Sequence, residues 1–399
     1  MNILVFNSGS SSIKFSLFRG ATLYMEGMAD AIGSAKPAIE LTLPSGQKKT
    51  ITVSLPDHNA AFTAINDSLK TYAADVSIDA IGHRVVHGAL KYTRPTRITP
   101  AVIRTLHTLS FLAPLHNPHN IKGIQMCSKH FPHVPQVAVF DTAFHASLPR
   151  VASLYALPPS MLKKYHLRKY GFHGISYAYI VDQLATIKKK GSISRNEKTI
   201  ICHMGNGISI TAVRKGKSVE TSMGFTPLDG MPMGTRIGSL DPGVVLFLQS
   251  QGYSADEIMK VLSKESGIKA LANESDMRRV HARATKGDAK AKLAIDYVAY
   301  RAFRLIGSYT AVLNGLDTLV FTGGMGEGAY YLRSKICSHL SYLGLHLDAK
   351  SNERGDLHIS SRSSKVDVLV MHTDEALQIA KETRVLLTKV KNKKRHTKK

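Results

Sequence analysis

At 399 residues, with 43% hydrophobic and 21% charged residues, the chain has material for two or three domains with sizeable cores. No run approaches the roughly 18–20 uncharged apolar residues of a membrane-spanning helix. The three cysteines (Cys127, Cys202, Cys337) form no C-x-x-C pair, which speaks against a disulfide framework or a zinc knuckle. The formal charge of +24 is compatible with polyanion binding, but no zinc-finger, RNP or KH pattern accompanies it, so no specific nucleic-acid partner is expected. Part of that charge is local. Residues 384–399 carry eight Lys or Arg and no acid, and the tail KVKNKKRHTKK (389–399) reads as a solvated, frayed terminus. Met1 leads straight into NILVF, too short for a signal-peptide core and without a basic leader, so a cytoplasmic location is expected.

In chain order, the apolar run ILVF enters a polar tip, Asn7, Ser8, Gly9 and three serines, and residues 13–18 resume an alternating pattern: a β-hairpin. ATLYMEGMA (21–29) and KTITVSL (49–55) read as further strands, 58–73 as a helix, and IDAIGHRVVHG (78–88) as a buried strand closed by a turn. Helices are expected over 99–111 and 117–131, then a strand over 134–145 that ends on a carboxylate. From 199 the pattern restarts. TIICHMGNGISITAVRKGK repeats the apolar strand, small polar tip, alternating strand and basic turn of ILVFNSGSSSIKFSLFRG, which suggests two related domains. A long helix is expected around 286–314 and strands over 317–324 and 366–373. A final helix starts at 374, with Asp374 and Glu375 where the helix dipole favours acids. Strands alternating with helices indicate an α/β architecture.

Three polar or Gly-rich tips follow apolar strands: NSGSSSIK, HMGNG (203–207) and FTGGMGEG (321–328). Such tips expose backbone N–H groups to an anion, and Lys14 adds a point charge, although Asn, Ser and Gly are also ordinary turn residues. Two familiar nucleotide motifs do not fit. RKGKS lacks the first glycine of a Walker A loop, since position 211 is Thr211, and GMGEGA (324–329) matches G-x-G-x-x-A without a βαβ unit around it. Arg84 lies just inside a strand, where it suits a carboxylate or phosphate, or a plain ion pair. Asp141 ends a buried strand. His173, bracketed by glycines in YGFHG, is expected in a tight exposed turn. The long loop 222–243 holds one interior arginine, Arg236, and its apolar content argues against disorder.

These stretches, together with SDMR (275–278) and HTDEALQIA (372–380), resemble the acetokinase family of the actin and sugar-kinase superfamily, in the family's order and over residues 2 to about 383. The resemblance implies two duplicated actin-like (ribonuclease H-like) domains with an interdomain active-site cleft. Domain I would comprise residues 1–147 plus 376–399, and domain II, nucleotide-binding and dimerising, 148–375. It implies reversible phosphoryl transfer from ATP to acetate giving acetyl phosphate and ADP, by direct in-line transfer, with Mg²⁺ (Mn²⁺ able to substitute) and a homodimer. Asn7 and Glu375 would hold the metal and Lys14 the nucleotide phosphates. Arg84 would bind the carboxylate, Asp141 would be the catalytic carboxylate, and His173 and Arg236 would stabilise the transferring phosphoryl group. His203, Met204, Gly205, Asn206, Gly207, Asp276, Met277, Arg278, Gly324, Met325, Gly326, Glu327 and Gly328 would line the ATP site. Val86, Leu115, Phe172 and Pro227 would form the acyl pocket.

Several positions depart from the family pattern. Ala89 and Leu90 stand where Gly and Glu are usual, Ile237 replaces a small residue, Ser239 an Asp, Gly328 an Asn, and Tyr177 a second His. SGIKALANESDMR (266–278) lacks the glycines often seen there. None of these replaces a residue assigned to catalysis. Alternative readings are a propionate kinase, against which Val86 weighs because family members with that activity tend to carry a smaller residue there, a non-catalytic ATP-dependent binding protein on the same scaffold, and a charge-driven polyanion binder.

Overall fold

The computed structural model describes residues 1–188 and 197–396, with side chains to Lys389. The chain divides into two compact units: Met1–Ala143 with Asp374–Lys399, and Phe144–Thr373.

In the first unit, strands β1 (Asn2–Ser8), β2 (Ile13–Arg19), β3 (Thr22–Asp30), β4 (Ala38–Thr42), β5 (Lys48–Thr52), β6 (Ala80–Val85), β7 (Thr96–Arg97) and β8 (Gln136–Phe140) form one sheet, ordered β5-β4-β3-β2-β1-β6-β8-β7. β1 to β5 are a meander, as their alternating pattern requires, whereas β1, β6 and β8 run parallel. The parallel strands are near-continuous apolar runs because they are covered on both faces. The second unit holds β9 (Lys198–Met204), β10 (Ile208–Arg214), β11 (Lys217–Thr221), β12 (Thr318–Thr322) and β13 (Asp367–Val370), ordered β11-β10-β9-β12-β13. Its pairings are antiparallel through β9 and then parallel, as in β3-β2-β1-β6-β8. The internal similarity in the sequence therefore corresponds to one topology used twice.

The helices follow the expected positions: His58–Tyr72, Pro100–Thr108, Asn117–His130 and Ala289–Leu313. The last starts at the Asp288 cap, whose carboxylate accepts from the N–H groups of Lys290 and Ala291, and ends at Asn314 with φ +56°. Two stretches differ from expectation. The Gly-rich segment after β12 is not an open tip but a short helix, Gly323–Gly328. Gly323 turns the chain with φ +79°, the Glu327 carboxylate accepts its N–H at 3.0 Å, and the buried Arg333 donates to the carbonyls of Gly326 and Glu327. Those outside partners hold a sequence of low helix propensity in place. The expected frayed terminus is helical as far as His396, while the side chains beyond Lys389, which carry most of the terminal cations, lie outside the described residues. Among the described residues no helix is long and apolar enough to cross a membrane.

The C-terminal helix Glu375–His396 packs on β1 and β6 of its own unit. Gly82 makes this possible: a Cβ there would lie 2.6 Å from Ile379 Cγ2 and 2.7 Å from Thr383 Oγ1. Gly82→Ala is expected to lower unfolding stability by about 1–3 kcal/mol through overpacking, read as a fall in the urea midpoint.

Candidate active site

In the first unit the polar tip is built by the hairpin. Asn7 faces Lys14 across the pair, and the Gly9 N–H donates to the Ser12 carbonyl at 2.8 Å. Two asparagines from the helix Asn117–His130 staple the surroundings. Asn120 donates to the Ser8 carbonyl at 2.8 Å and accepts the Val86 N–H at 3.0 Å, and Asn117 bonds both backbone groups of His87. These bonds link the end of β1 to the residues leaving β6.

Arg84 and Asp141 emerge from adjacent parallel strands. Arg84 Nη2 donates to Asp141 Oδ2 at 2.7 Å and Nε to the same carboxylate at 3.1–3.2 Å. Glu375, first residue of the C-terminal helix, places Oε2 4.0 Å from Arg84 Nε. The Asp141 side chain is 2% exposed and that of Arg84 23%. Burial works against the Arg84 charge, but the two carboxylates outweigh it and its pKa lies above its ordinary value. Burial raises the Asp141 carboxyl against the pull of Arg84. Among the described residues Arg84 Nη1 donates to no partner, which leaves one edge of the fork for an incoming anion. Val86 is buried at 6% exposure, whereas Leu115 is exposed at 56%.

In the second unit the tip between β9 and β10 closes like the first, with the Gly205 N–H donating to the Gly207 carbonyl at 2.9 Å. His173 caps the helix Gly174–Ile187, which the sequence reading did not anticipate, with φ +59°. It is part-buried rather than in an exposed turn. The turn is backed by the fully buried His145, whose Nε2 donates to the Phe172 carbonyl at 2.9 Å while Nδ1 faces Ser218 Oγ. His173 Nδ1 lies 2.9 Å from Ser209 Oγ, and its ring stacks on that of His203 with centroids 4.2 Å apart. Arg236 sits in the long loop, with Nη1 3.7 Å from Met233 Sδ. Phe172 is buried and Pro227 half-buried.

A cavity of about 710 Å³ in this unit brings together Gly205, Asn206, residues 275–278, Gly324, Met325 and residues 328–331. Of the expected nucleotide contacts, His203, Met204, Gly207, Gly326 and Glu327 do not line it, and Lys14 belongs to the other unit. Arg278 is folded back on Asp276 at 2.6 Å, and holds that carboxyl down to about 2. The sequence reading missed His281, Tyr330 and Tyr331. His281 and Tyr331 stack at 3.5 Å and 6°, and Tyr331 donates to the Met277 carbonyl. The four-residue step from Met277 to His281 on one helix was the available signal. Among the described residues no group of three or more His, Cys, Asp or Glu side chains is arranged to hold a metal.

The sequence matches the family model of the acetokinase family over residues 2–381. The chain belongs to the acetokinase family. It is 43% identical to an acetate kinase of Halothermothrix orenii over 394 residues, covering 96% of this chain and 98% of that protein. An acetate kinase of Clostridium acetobutylicum is 43% identical over 408 residues, covering 98% of this chain and all of the relative. Among solved structures, a propionate kinase from Francisella tularensis superposes with a TM-score of 0.92 at 40% identity, covering 96% of this chain and 99% of the other. Porphyromonas gingivalis acetate kinase gives 0.90 at 38% identity, covering 97% and 99%. With its two sheets of matching topology, the chain has the two-domain actin-like fold of these kinases.

His83 and His145 are both buried, which pushes each imidazole down to about 4. The unfolded chain takes up these protons near pH 6.5, before the folded one does, so stability falls as pH drops from about 6.5 to 4. His83→Asn is expected to reduce that pH slope by about one proton, measured as the urea midpoint between pH 4.5 and 7.

Proposed function

We propose that this protein transfers the γ-phosphoryl group of ATP to acetate, reversibly and in line, giving acetyl phosphate and ADP. The observation that carries this reading is the Arg84 fork held by buried Asp141 beside Glu375 at the strand ends. The acceptor carboxylate has a pKa of about 4–5 and is already ionised at neutral pH. It needs a cation to orient it rather than a base to activate it, and Arg84 Nη1 supplies one. Asp141 then serves to fix Arg84 and the oxygen-ligand environment, not to move a proton.

Phosphoryl transfer asks for positioning and for positive charge around the equatorial oxygens. His173 and Arg236 take that task, and Lys14 with the tip amides holds the polyphosphate. The cavity lined by Gly205, Asn206, residues 276–278 and Gly324 takes the rest of the nucleotide. Asn7 and Glu375 offer oxygen donors suited to Mg²⁺, or Mn²⁺ in its place; such a hard cation keeps few protein ligands and relies on phosphates and water for the rest. When bound, the ion adds positive charge on the phosphate oxygens. Val86, Leu115, Phe172 and Pro227 receive the acyl methyl. The two compact units serve as the duplicated domains, and the protein works in the cytoplasm.

A second reading, propionate as acceptor, is favoured by the likeness to the Francisella kinase. One methylene is worth only about 1–3 kcal/mol of discrimination, so the bulk of Val86 tilts the choice toward acetate without closing it. Hydroxamate trapping with Mg-ATP and acetate, propionate or butyrate separates these readings. Acetate is expected to lead; propionate in the lead would move the substrate, and no product from a folded, ATP-binding protein would overturn the kinase reading. In the same assay Arg236→Ala is expected to lower kcat by about 10³-fold.

The helix Pro242–Ser250 (PGVVLFLQS) has no buried residue; Leu246 is 67% and Phe247 61% exposed. An uncharged apolar helix left uncovered marks an interaction surface, and we assign it to a second copy of this chain in a homodimer. Phe247→Glu is expected to give a monomer in sedimentation velocity, and a variant that stays dimeric would move the interface elsewhere.

A further inference from the structure

Behind His173 lies a chain of hydroxyls that the reaction as described does not use. Tyr177 stands one helical turn after His173, so both side chains leave the same face of the helix. The Tyr177 hydroxyl lies 2.5 Å from Ser209 Oγ, and that same oxygen lies 2.9 Å from His173 Nδ1. Both Tyr177 and Ser209 are fully buried. The hydroxyl of Thr211 and the backbone N–H of His203 also face the phenol oxygen. The neighbouring ring repeats the arrangement: His203 Nδ1 lies 2.8 Å from Ser176 Oγ, which lies 2.8 Å from Thr373 Oγ1. Two stacked imidazoles thus each turn Nδ1 toward a buried serine.

The protons in this chain can be placed by elimination. Burial pushes the phenol of Tyr177 well above its ordinary pKa, so it keeps its proton. Directed along its shortest contact, that proton goes to Ser209 Oγ, 2.5 Å away. Ser209 then accepts from Tyr177 and has its own proton left to donate. His173 Nδ1 is the acceptor within reach. The reverse order, with Nδ1–H donating to Ser209, would leave the serine proton only the Tyr177 oxygen, whose own proton would then need another acceptor. A second charge beside His203, with ring centroids 4.2 Å apart, is also disfavoured.

We propose that Tyr177 is a positioning residue for His173, fixing through Ser209 the imidazole proton on Nε2. This rests on the reading that His173 acts on the transferring phosphoryl group. The tautomer gives His173 a neutral N–H donor that stays aimed through the reaction, as a preorganised donor must. It also accounts for the tyrosine where the family pattern has a second histidine, because a phenol supplies a proton that does not leave.

The decisive measurement is the long-range ¹⁵N–¹H NMR pattern of His173 in the full chain, assigned by its loss in His173→Asn. The expected pattern has Nε2 protonated and Nδ1 bare; a proton on Nδ1 overturns the proposal, whether or not any Tyr177 variant folds. In Tyr177→Phe the pattern is expected to become mixed. Outer-shell partners of metal-bound histidines are typically worth 10–100-fold, and kcat is expected to fall by about 10-fold here, with KM for both substrates within about twofold. In a Ser209→Ala background Tyr177→Phe is expected to add no further loss. Independent, additive losses, or an unchanged kcat in Tyr177→Phe, would overturn the relay. Normal turnover in His173→Asn would instead overturn the catalytic reading of His173, and the NMR pattern of the wild-type chain would still report the tautomer separately.

Discussion

Parallel strands release their side chains toward a ligand only where they end, and both units of this chain are organised around that constraint. β1 ends in Asn7 and Ser8, β6 in Arg84 and Val85, and β8 is followed at once by Asp141. In the other unit β9 ends at Met204 before its glycine tip, and β12 runs directly into Gly323. Of the sheet groups assigned to chemistry, only Lys14 sits elsewhere, at the start of the antiparallel β2. The hairpin that opens each sheet has a second duty. It turns the chain back with small residues, so backbone amides can approach a ligand beside the exposed Ser10, Ser11 and Asn206.

The two units solve different electrostatic problems. On the proposed function, the first keeps a cation ready for an anionic acceptor. Asp141 is buried behind Arg84 with Glu375 beside them, which holds the guanidinium plane through two nitrogens; among the described residues the third donates to no partner. On the same proposal, the second presents donors to a phosphoryl group whose charge is spread over three oxygens. There each histidine turns Nδ1 to a serine hydroxyl, and the two rings stack. A carboxylate behind His173 would have raised its charge and set it against its stacked neighbour His203. Neutral backing avoids that conflict, and leaves the fixed positive charge to Arg236.

Much of this was legible in the sequence, for physical reasons that can be named. The hairpins announced themselves because alternation and a short polar tip have few other solutions. Arg84 and Asp141 were found because each ends an apolar run, and their pairing follows from strands being neighbours in the sheet, which spacing alone does not reveal. What escaped was held by contacts that local propensity and capping signals do not show. The helix Gly323–Gly328 depends on Glu327 and Arg333 rather than on its own propensity. The helix Gly174–Ile187 begins at a histidine with positive φ, where the usual capping signal is absent. Tyr331 and His281 meet across two separate helices, and no local pattern joins them. Leu115, assigned to the acyl pocket through the family resemblance, is exposed at 56%.

The departures from the family pattern show where the fold tolerates change. Ala89 takes φ +50°, a left-handed conformation that suits the glycine usual at this position and disfavours any residue with a Cβ. The strain is local: the Ala89 N–H still donates to His87 Nδ1 at 3.0 Å, and the stapling of His87 by Asn117 holds the turn whichever residue follows. Gly328 ends a helix whose last carbonyls Arg333 already satisfies, so losing an amide side chain there leaves the backbone bonds intact. Tyr177 differs in kind, because it lies against the groups that set His173. At Ala89 and Gly328 neighbouring bonds hold the backbone, whereas the Ser239 hydroxyl itself bonds Gly230 and Asp229. Where a side chain does touch the histidine pair, the replacement keeps a hydrogen-bonding group facing Ser209.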